Sequence, residues 1–343
     1  MNRKDFLSTT GLLMAGVTAP WKSALSDPGT KYSTYKIPHY LKKGDLVGIT
    51  CPAGSIKNEE VQPSVRVLED WGFKTILGDT IGKKDFTYGG SDQERAEDFQ
   101  KMLDNTSIKA ILCARGGYGV IRIVDLLNFN KFMKHPKWVI GFSDITVLLN
   151  HIHSNYRTAA IHSKMCNSFP DDLALITDLD QLESIHSIEN ALKGIQMNYT
   201  AITDPQNRLG TGTGLLVGGN LKTMETLSGT VSDIQTDGKI LFVEDTHEYL
   251  YSIDRMFWNL KRTGKLRKLK GLIVGGFNVK PDDPGEEFGK TIQDIVLEKV
   301  KGHTYPVCFN FPVGHQKANY ALKCGVRHRL KVSHTEVTLS ETI

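Results

Sequence analysis

The 343-residue chain is poor in cysteine, and none of its five (Cys51, Cys113, Cys166, Cys308, Cys324) belongs to a Cys-x-x-Cys pair. Scattered thiols in odd number exclude a zinc-ribbon pattern and a disulfide framework. Cys51, Cys113 and Cys308 lie in apolar, strand-like runs and read as small core residues. A strong charge of one sign is also missing. The formal net charge is +4, and the first 25 residues (Arg3, Lys4 and Lys22 against Asp5) account for half of it. So even a balance excludes the electrostatic footprint of a nucleic-acid binder. No apolar run reaches the roughly 20 residues a bilayer span needs, and no repeat or low-complexity tract stands out.

What is present begins with the N-terminus. Met1-Asn-Arg-Lys-Asp-Phe-Leu7 is basic, and Phe6 to Pro20 is apolar and small-residued. The Arg-Lys-x-Phe-Leu pattern resembles a twin-arginine signal with lysine in place of one arginine. We expect a signal peptide and flexible lead over residues 1–36, and export to the periplasm. A cytoplasmic protein with an N-terminal extension is the alternative.

From Gly44 onward, strand-like and helix-like patterns alternate. Leu46, Val47 and Ile49 make a strand that ends in Pro52-Ala-Gly54. Asn58 to Trp71 carries Val61, Val65 and Leu68 at helical spacing, and Ser91-Asp-Gln-Glu94 is a capping box. Ile108 to Cys113 is a strand, Arg115-Gly-Gly-Tyr-Gly119 a turn, and Val120 to Leu127 a helix. Such alternation predicts an α/β fold: an N-terminal domain with a doubly wound parallel sheet over 37–165, a linker over 166–210, and a C-terminal mixed α/β domain over 211–343 with antiparallel hairpins at its end.

In parallel sheets, sites form beyond the carboxyl ends of the strands. Trp138 to Phe142 reads as one such strand and Ile145 to Ile152 as the helix after it, which puts Ser143 in the turn between them. A serine there can project its hydroxyl beside helix N-terminal amides, as in a nucleophile elbow, although the full Gly-x-Ser-x-Gly pattern is absent. Taken alone, Ser143 or Asp144 could simply cap the helix. Two further strand exits carry reactive groups. Glu244 and Asp245 follow Ile240-Leu-Phe-Val243, and His315 follows Val307-Cys-Phe-Asn-Phe-Pro-Val-Gly314.

Five segments in order, Arg115-Gly-Gly-Tyr-Gly119, Gly141-Phe-Ser-Asp144, Gly218-Gly-Asn-Leu221, Leu241-Phe-Val-Glu-Asp245 and Phe311-Pro-Val-Gly-His315, resemble the LD-carboxypeptidases, the serine peptidases of the S66 type. The resemblance runs from about Ile37 to Val337. It implies a triad of Ser143, Glu244 and His315, in which His315 moves the proton and Glu244 fixes and stabilises the imidazole. It further implies an oxyanion hole from the backbone N–H groups of Asp144 and Gly117.

The implied reaction releases terminal D-alanine from murein tetrapeptides, with no metal and no cofactor. Arg115 is the candidate for the substrate carboxylate and Glu248 for an ammonium; structural pairing of Arg115 and solvation of Glu248 are the bland alternatives. A homodimer is what the family suggests. Two rivals stand beside this reading: a hydrolase of peptide–nucleotide antibiotics resembling the microcin immunity peptidases, and a non-catalytic periplasmic binding protein. His151-Ile-His153 has the wrong spacing for a metal pair on a helix. Gly210-Thr-Gly-Thr-Gly214 lacks the Lys-Ser/Thr ending of a phosphate loop.

Overall fold

In a computed structural model, residues 35–342 are described, and the apolar runs among them become two sheets. The expected signal peptide therefore lies almost wholly outside the described residues. The chain proceeds through β1 (Leu46–Thr50), α1 (Asn58–Asp70), β2 (Lys74–Leu77), α2 (Asp92–Asp104), β3 (Ile108–Cys113), α3 (Asn130–Lys134), β4 (Trp138–Gly141), α4 (Thr146–Tyr156), β5 (Ala160–His162), α5 (Leu179–Lys193) and β6 (Asn198–Ala201). It continues through β7 (Gly210–Asn220), α6 (Leu221–Leu227), β8 (Ile240–Glu248), α7 (Leu250–Arg262), β9 (Gly271–Val279), α8 (Ile292–Lys299), β10 (Val307–Cys308), β11 (Leu322–Cys324), β12 (Arg327–Val332) and β13 (Val337–Glu341). The Ser91–Glu94 capping box opens α2 with both reciprocal bonds made.

The first sheet has the order β11-β5-β4-β3-β1-β2, with β1 to β5 parallel. Successive strand residues face opposite ways, so Ala110 and Leu112 enter one core with α1 and α5, while Ile111 and Cys113 enter another with α2 and α4. This is the doubly wound arrangement. The second sheet, β10-β9-β8-β7-β12-β13-β6, is parallel from β10 to β7 and antiparallel from β7 to β6.

Three local expectations differ from the structure. Val120 to Leu127 is not one helix but two 3₁₀ turns, Val120–Arg122 and Val124–Leu126. The polar stretch after Cys166 is woven into both layers: Ile185, Ile188 and Leu192 of α5 are buried in the first core, and β6 pairs with β13 at the edge of the second sheet. Of the C-terminal hairpins, β12–β13 forms as expected, but β11 crosses back and pairs antiparallel with β5 in the first sheet. Its residues read identically in either sheet, so periodicity carried no sign of the crossing.

Candidate active site

The end of β4 sets the geometry. Phe142 is extended, and Ser143 then takes a left-handed backbone with φ of 61° before a 3₁₀ turn (Ser143–Ile145) feeds α4. Such a conformation costs a non-glycine residue about 1–2 kcal/mol, so its neighbours must hold it. Gly141 has no room for a side chain, since a Cβ there would lie 2.9 Å from Ile145. Gly116 faces the elbow itself: a Cβ on it would sit 3.0 Å from the Ser143 Cβ and 3.2 Å from its Oγ. Neither side chain of the turn caps the helix. The Ser143 hydroxyl makes no hydrogen bond among the described residues, and the Asp144 carboxylate points elsewhere.

Asp144 Oδ2 accepts the Val120 N–H at 2.8 Å and so ties the elbow to the glycine-rich turn. That turn is gripped from below by Arg95 of α2, a fully buried guanidinium that donates to the carbonyls of Gly119 (2.9 Å), Pro52 (2.6 Å) and Gly90 (3.1 Å). One cation thus fixes three strand-exit loops.

Burial pushes the Asp144 carboxyl up to about 6, against the opposing pull of the Val120 amide and the Arg95 charge. A carboxyl raised in the folded state contributes stability below its ordinary range and loses it as pH rises through about 6. Asp144→Asn, which keeps an acceptor without the charge, is therefore expected to gain on the order of 2 kcal/mol at pH 8 relative to its effect near pH 4. Urea unfolding at the two pH values measures the difference; equal effects would remove the ionised carboxyl as the cause.

Across from the elbow, β8 carries Glu244, fully buried, whose Oε2 receives the His315 Nδ1 at 2.6 Å and the His315 backbone N–H at 3.2 Å. Gly314, with φ of 100°, permits this: a Cβ there would lie 2.3 Å from that of Glu244. The Phe142 ring, next to Ser143, lies 4.8 Å from the His315 ring centre to centre. Burial lowers the affinity of His315 for a proton, but the hydrogen bond to Glu244 and the charges of Glu244 and Asp245 more than reverse it, leaving its pKa above the ordinary histidine value.

A cavity of about 360 Å³ opens on Ser143, Asp144 and Gly117, and its far wall is Asn220, Lys222, Asp245 and Glu248. A larger groove of about 950 Å³ follows the outer face of α2 and touches none of the candidate residues. The two sheets meet at the smaller cavity because Gly219, with φ of 142°, lets β7 approach α4; a Cβ would be 2.5 Å from the Thr146 side chain. The Thr146 hydroxyl then accepts the Asn220 N–H at 3.1 Å. Asn220 caps α6 through Thr223 and donates to Asp245 at 3.0 Å.

Of the sequence candidates, Ser143, Asp144, Gly117 and Glu248 share the cavity, whereas Glu244 and His315 pair with each other beside it. Glu248 closes β8 and accepts the Ser252 hydroxyl at 2.6 Å. Arg115 stands exposed at the rim, donating to the Ser55 carbonyl at 3.0 Å, and is not among the lining residues. Asn220, Lys222 and Thr146 were not singled out from the sequence; the paired glycines before Asn220 were the available signal. Among the described residues, no three His, Cys, Asp or Glu side chains converge to hold a metal, and His151 and His153 are both buried, bonded instead to Ser232 and Tyr35. No described helix is long and apolar enough to cross a membrane.

Comparison with known proteins decides the family. The LD-carboxypeptidase N-terminal domain matches residues 47–163, and the LD-carboxypeptidase C-terminal domain matches residues 213–330. The chain belongs to the LD-carboxypeptidase family. It is 33% identical over 298 residues to a probable murein peptide carboxypeptidase of Bacillus subtilis, covering 84% of this chain and 90% of that one. It is 25% identical to the microcin C7 self-immunity protein MccF of Escherichia coli, covering 88% and 94%. The crystal structure of muramoyltetrapeptide carboxypeptidase from Oxalobacter formigenes superposes with a TM-score of 0.76 at 25% identity, covering 87% of this chain and 99% of that one. This LD-carboxypeptidase family member is a peptidase, which answers the binding-protein alternative.

Proposed function

We propose that the chain is a serine-type LD-carboxypeptidase that hydrolyses the bond between the L-centre of a diamino acid and the terminal D-alanine of murein tetrapeptides. The observation that carries this reading is the 2.6 Å hydrogen bond from His315 to a fully buried Glu244, beside a serine on a strained elbow. In this reading the Ser143 hydroxyl, which has no other hydrogen bond to break among the described residues, turns to His315 Nε2 and attacks the scissile carbonyl.

His315 takes the proton and returns it to the departing D-alanine amine, and Glu244 stabilises the imidazolium between the two transfers. The N–H groups of Asp144 and Gly117, both on the cavity wall, receive the oxyanion. Water, deprotonated by His315, then releases the acyl group from Ser143. Arg115 from the rim and Lys222 from the wall are the cations for the substrate carboxylate; Glu248 and Asp245 are the acceptors for its ammonium.

The reading is tested by incubating the purified full-length protein with muramyl tetrapeptide and assaying released D-alanine. Stoichiometric release is expected. An untouched tetrapeptide together with hydrolysis of an aminoacyl-nucleotide conjugate would replace this substrate with the antibiotic class. Export, supported by the basic and apolar N-terminus, and a homodimer complete the proposal; cell fractionation and sedimentation test them.

A further inference from the structure

Behind the Glu244–His315 pair, four buried polar atoms on three residues have no hydrogen-bond partner among the described residues: Glu244 Oε1, both ring nitrogens of His162, and Asn319 Nδ2. All three residues are fully buried. Unpaired groups of this kind are rare in protein interiors, and three residues together call for a common explanation. Their placement supplies one. His162 ends β5 in register with Gly141, two residues before the nucleophile. Its ring packs edge-on against Phe142 and Phe242, at 5.7 and 5.0 Å between centres, and Phe142 in turn flanks His315. Phe242 and Glu244, two apart on β8, face the same way. Asn319 spends its Oδ1 on the Gly314 N–H at 2.8 Å, one residue from His315. Three elements thus bring these groups around the back of Glu244.

Their chemistry is complementary in one arrangement. A carboxylate oxygen only accepts, an amide nitrogen only donates, and a neutral imidazole does one of each. Asn319 Nδ2 can therefore donate to the bare ring nitrogen of His162, and the other ring N–H can donate to Glu244 Oε1, directly or through one internal water. Burial holds His162 down to about 4, assisted by the charge of His315 and opposed by the Glu244 charge and the neighbouring Asn319 side chain, so the ring is neutral in the working range. From β11, Cys324 lies against the His162 backbone with a thiol that burial pushes up to about 12 and that is therefore neutral too. Asp245 acts by charge on both His315 and Glu244, while its carboxylate oxygens accept from the Asn220 side chain and from the Lys222 and Thr246 N–H groups.

We propose that His162 is a positioning residue: with its tautomer set by Asn319, it donates to the second oxygen of Glu244 and locks the plane of that carboxylate. Oε2 already receives two donors from His315, while Oε1 has none; a donor on Oε1 stops the carboxylate from pivoting away from the imidazole. The inference rests on the reading of Ser143, His315 and Glu244 as the reacting set.

The test compares His162→Phe, which fills the site without a donor, with His162→Gln, which retains an N–H. The His315 ring is titrated by NMR in the full-length protein, and the pH profile of kcat/KM is recorded on tetrapeptide. Without that donor the carboxylate is free to turn from the imidazole, and its hold on the imidazolium weakens. The His315 titration, and the acid limb with it, should therefore fall by about one pH unit in the phenylalanine variant, while the glutamine variant stays within ~0.3. A folded phenylalanine variant whose His315 titrates as in the wild type overturns the proposal; His162→Leu replaces it if the larger ring does not fold. Should tetrapeptide prove not to be cleaved, the reaction assigned above falls, and the NMR titration still decides the role of His162.

Discussion

Ser143→Ala is expected to reduce kcat on tetrapeptide by at least ~10⁴-fold, because removing a nucleophile leaves only binding and the oxyanion donors to act. Stability should be nearly unchanged. The alanine keeps the Cβ that Gly116 accommodates, and no hydrogen bond of the hydroxyl is lost among the described residues. Ser143→Gly sharpens the test. It abolishes activity equally but relieves the left-handed backbone at φ of 61°, so it should be more stable than the alanine variant by up to about 1 kcal/mol. Strain stored at the elbow and released by a dead variant is a signature of function opposing stability. D-alanine release and urea midpoints on the two variants check both halves. Alanine activity within tenfold of the wild type would remove Ser143 as the nucleophile.

How much of this was legible in the sequence depends on the range of the contacts. Ser143 stood out as a candidate through local order, an apolar strand, a glycine, a serine, then a helix, although that order alone fits a helix cap as well. Glu244 and His315 were equally visible as polar residues ending apolar runs. What pattern reading could not supply was contact between elements distant in sequence. Arg95 looks like one more charged residue of an amphipathic helix, yet it is buried and holds carbonyls from three loops. Thr146 and Asn220 are 74 positions apart and meet only because Gly219 brings the sheets together. Asp144 was read for its backbone N–H or as a helix cap, while its side chain proves to anchor the glycine-rich turn. The pair at 116–117 divides its work as well. Gly116 presses on the serine, whereas Gly117, with φ of 97°, lines the cavity. Within residues 166–210 the stretch from about Leu179 to Leu192 reads as a helix and forms α5, whereas β6 draws its stability from pairing with β13 rather than from local propensity.

Glu244→Gln should have an effect of comparable size, with a pH signature that a structural loss would not give. In the wild type the hydrogen bond and charge of Glu244 outweigh burial and lift the His315 pKa above its ordinary value. Two consequences have opposite signs. Neutral His315 is needed as the base, so kcat/KM should rise as pH passes upward through that raised value. The same elevation stabilises the fold below the ordinary histidine range, and the contribution disappears as pH rises through the folded value. Activity and this part of stability therefore trade places across one titration. Glutamine fills the same buried space but removes the charge, leaving burial as the dominant influence on His315. The acid limb should then shift to lower pH, and kcat should fall by ~10³–10⁴-fold, because the imidazolium formed during the reaction loses its counter-charge and the neutral ring its fixed tautomer. The acid-side stabilisation should vanish with it. A rate profile and unfolding midpoints between pH 5 and 9, on wild type and variant, read all three. A variant with reduced kcat and an acid limb unmoved from the wild type would mean that Glu244 supports His315 by packing and not by charge.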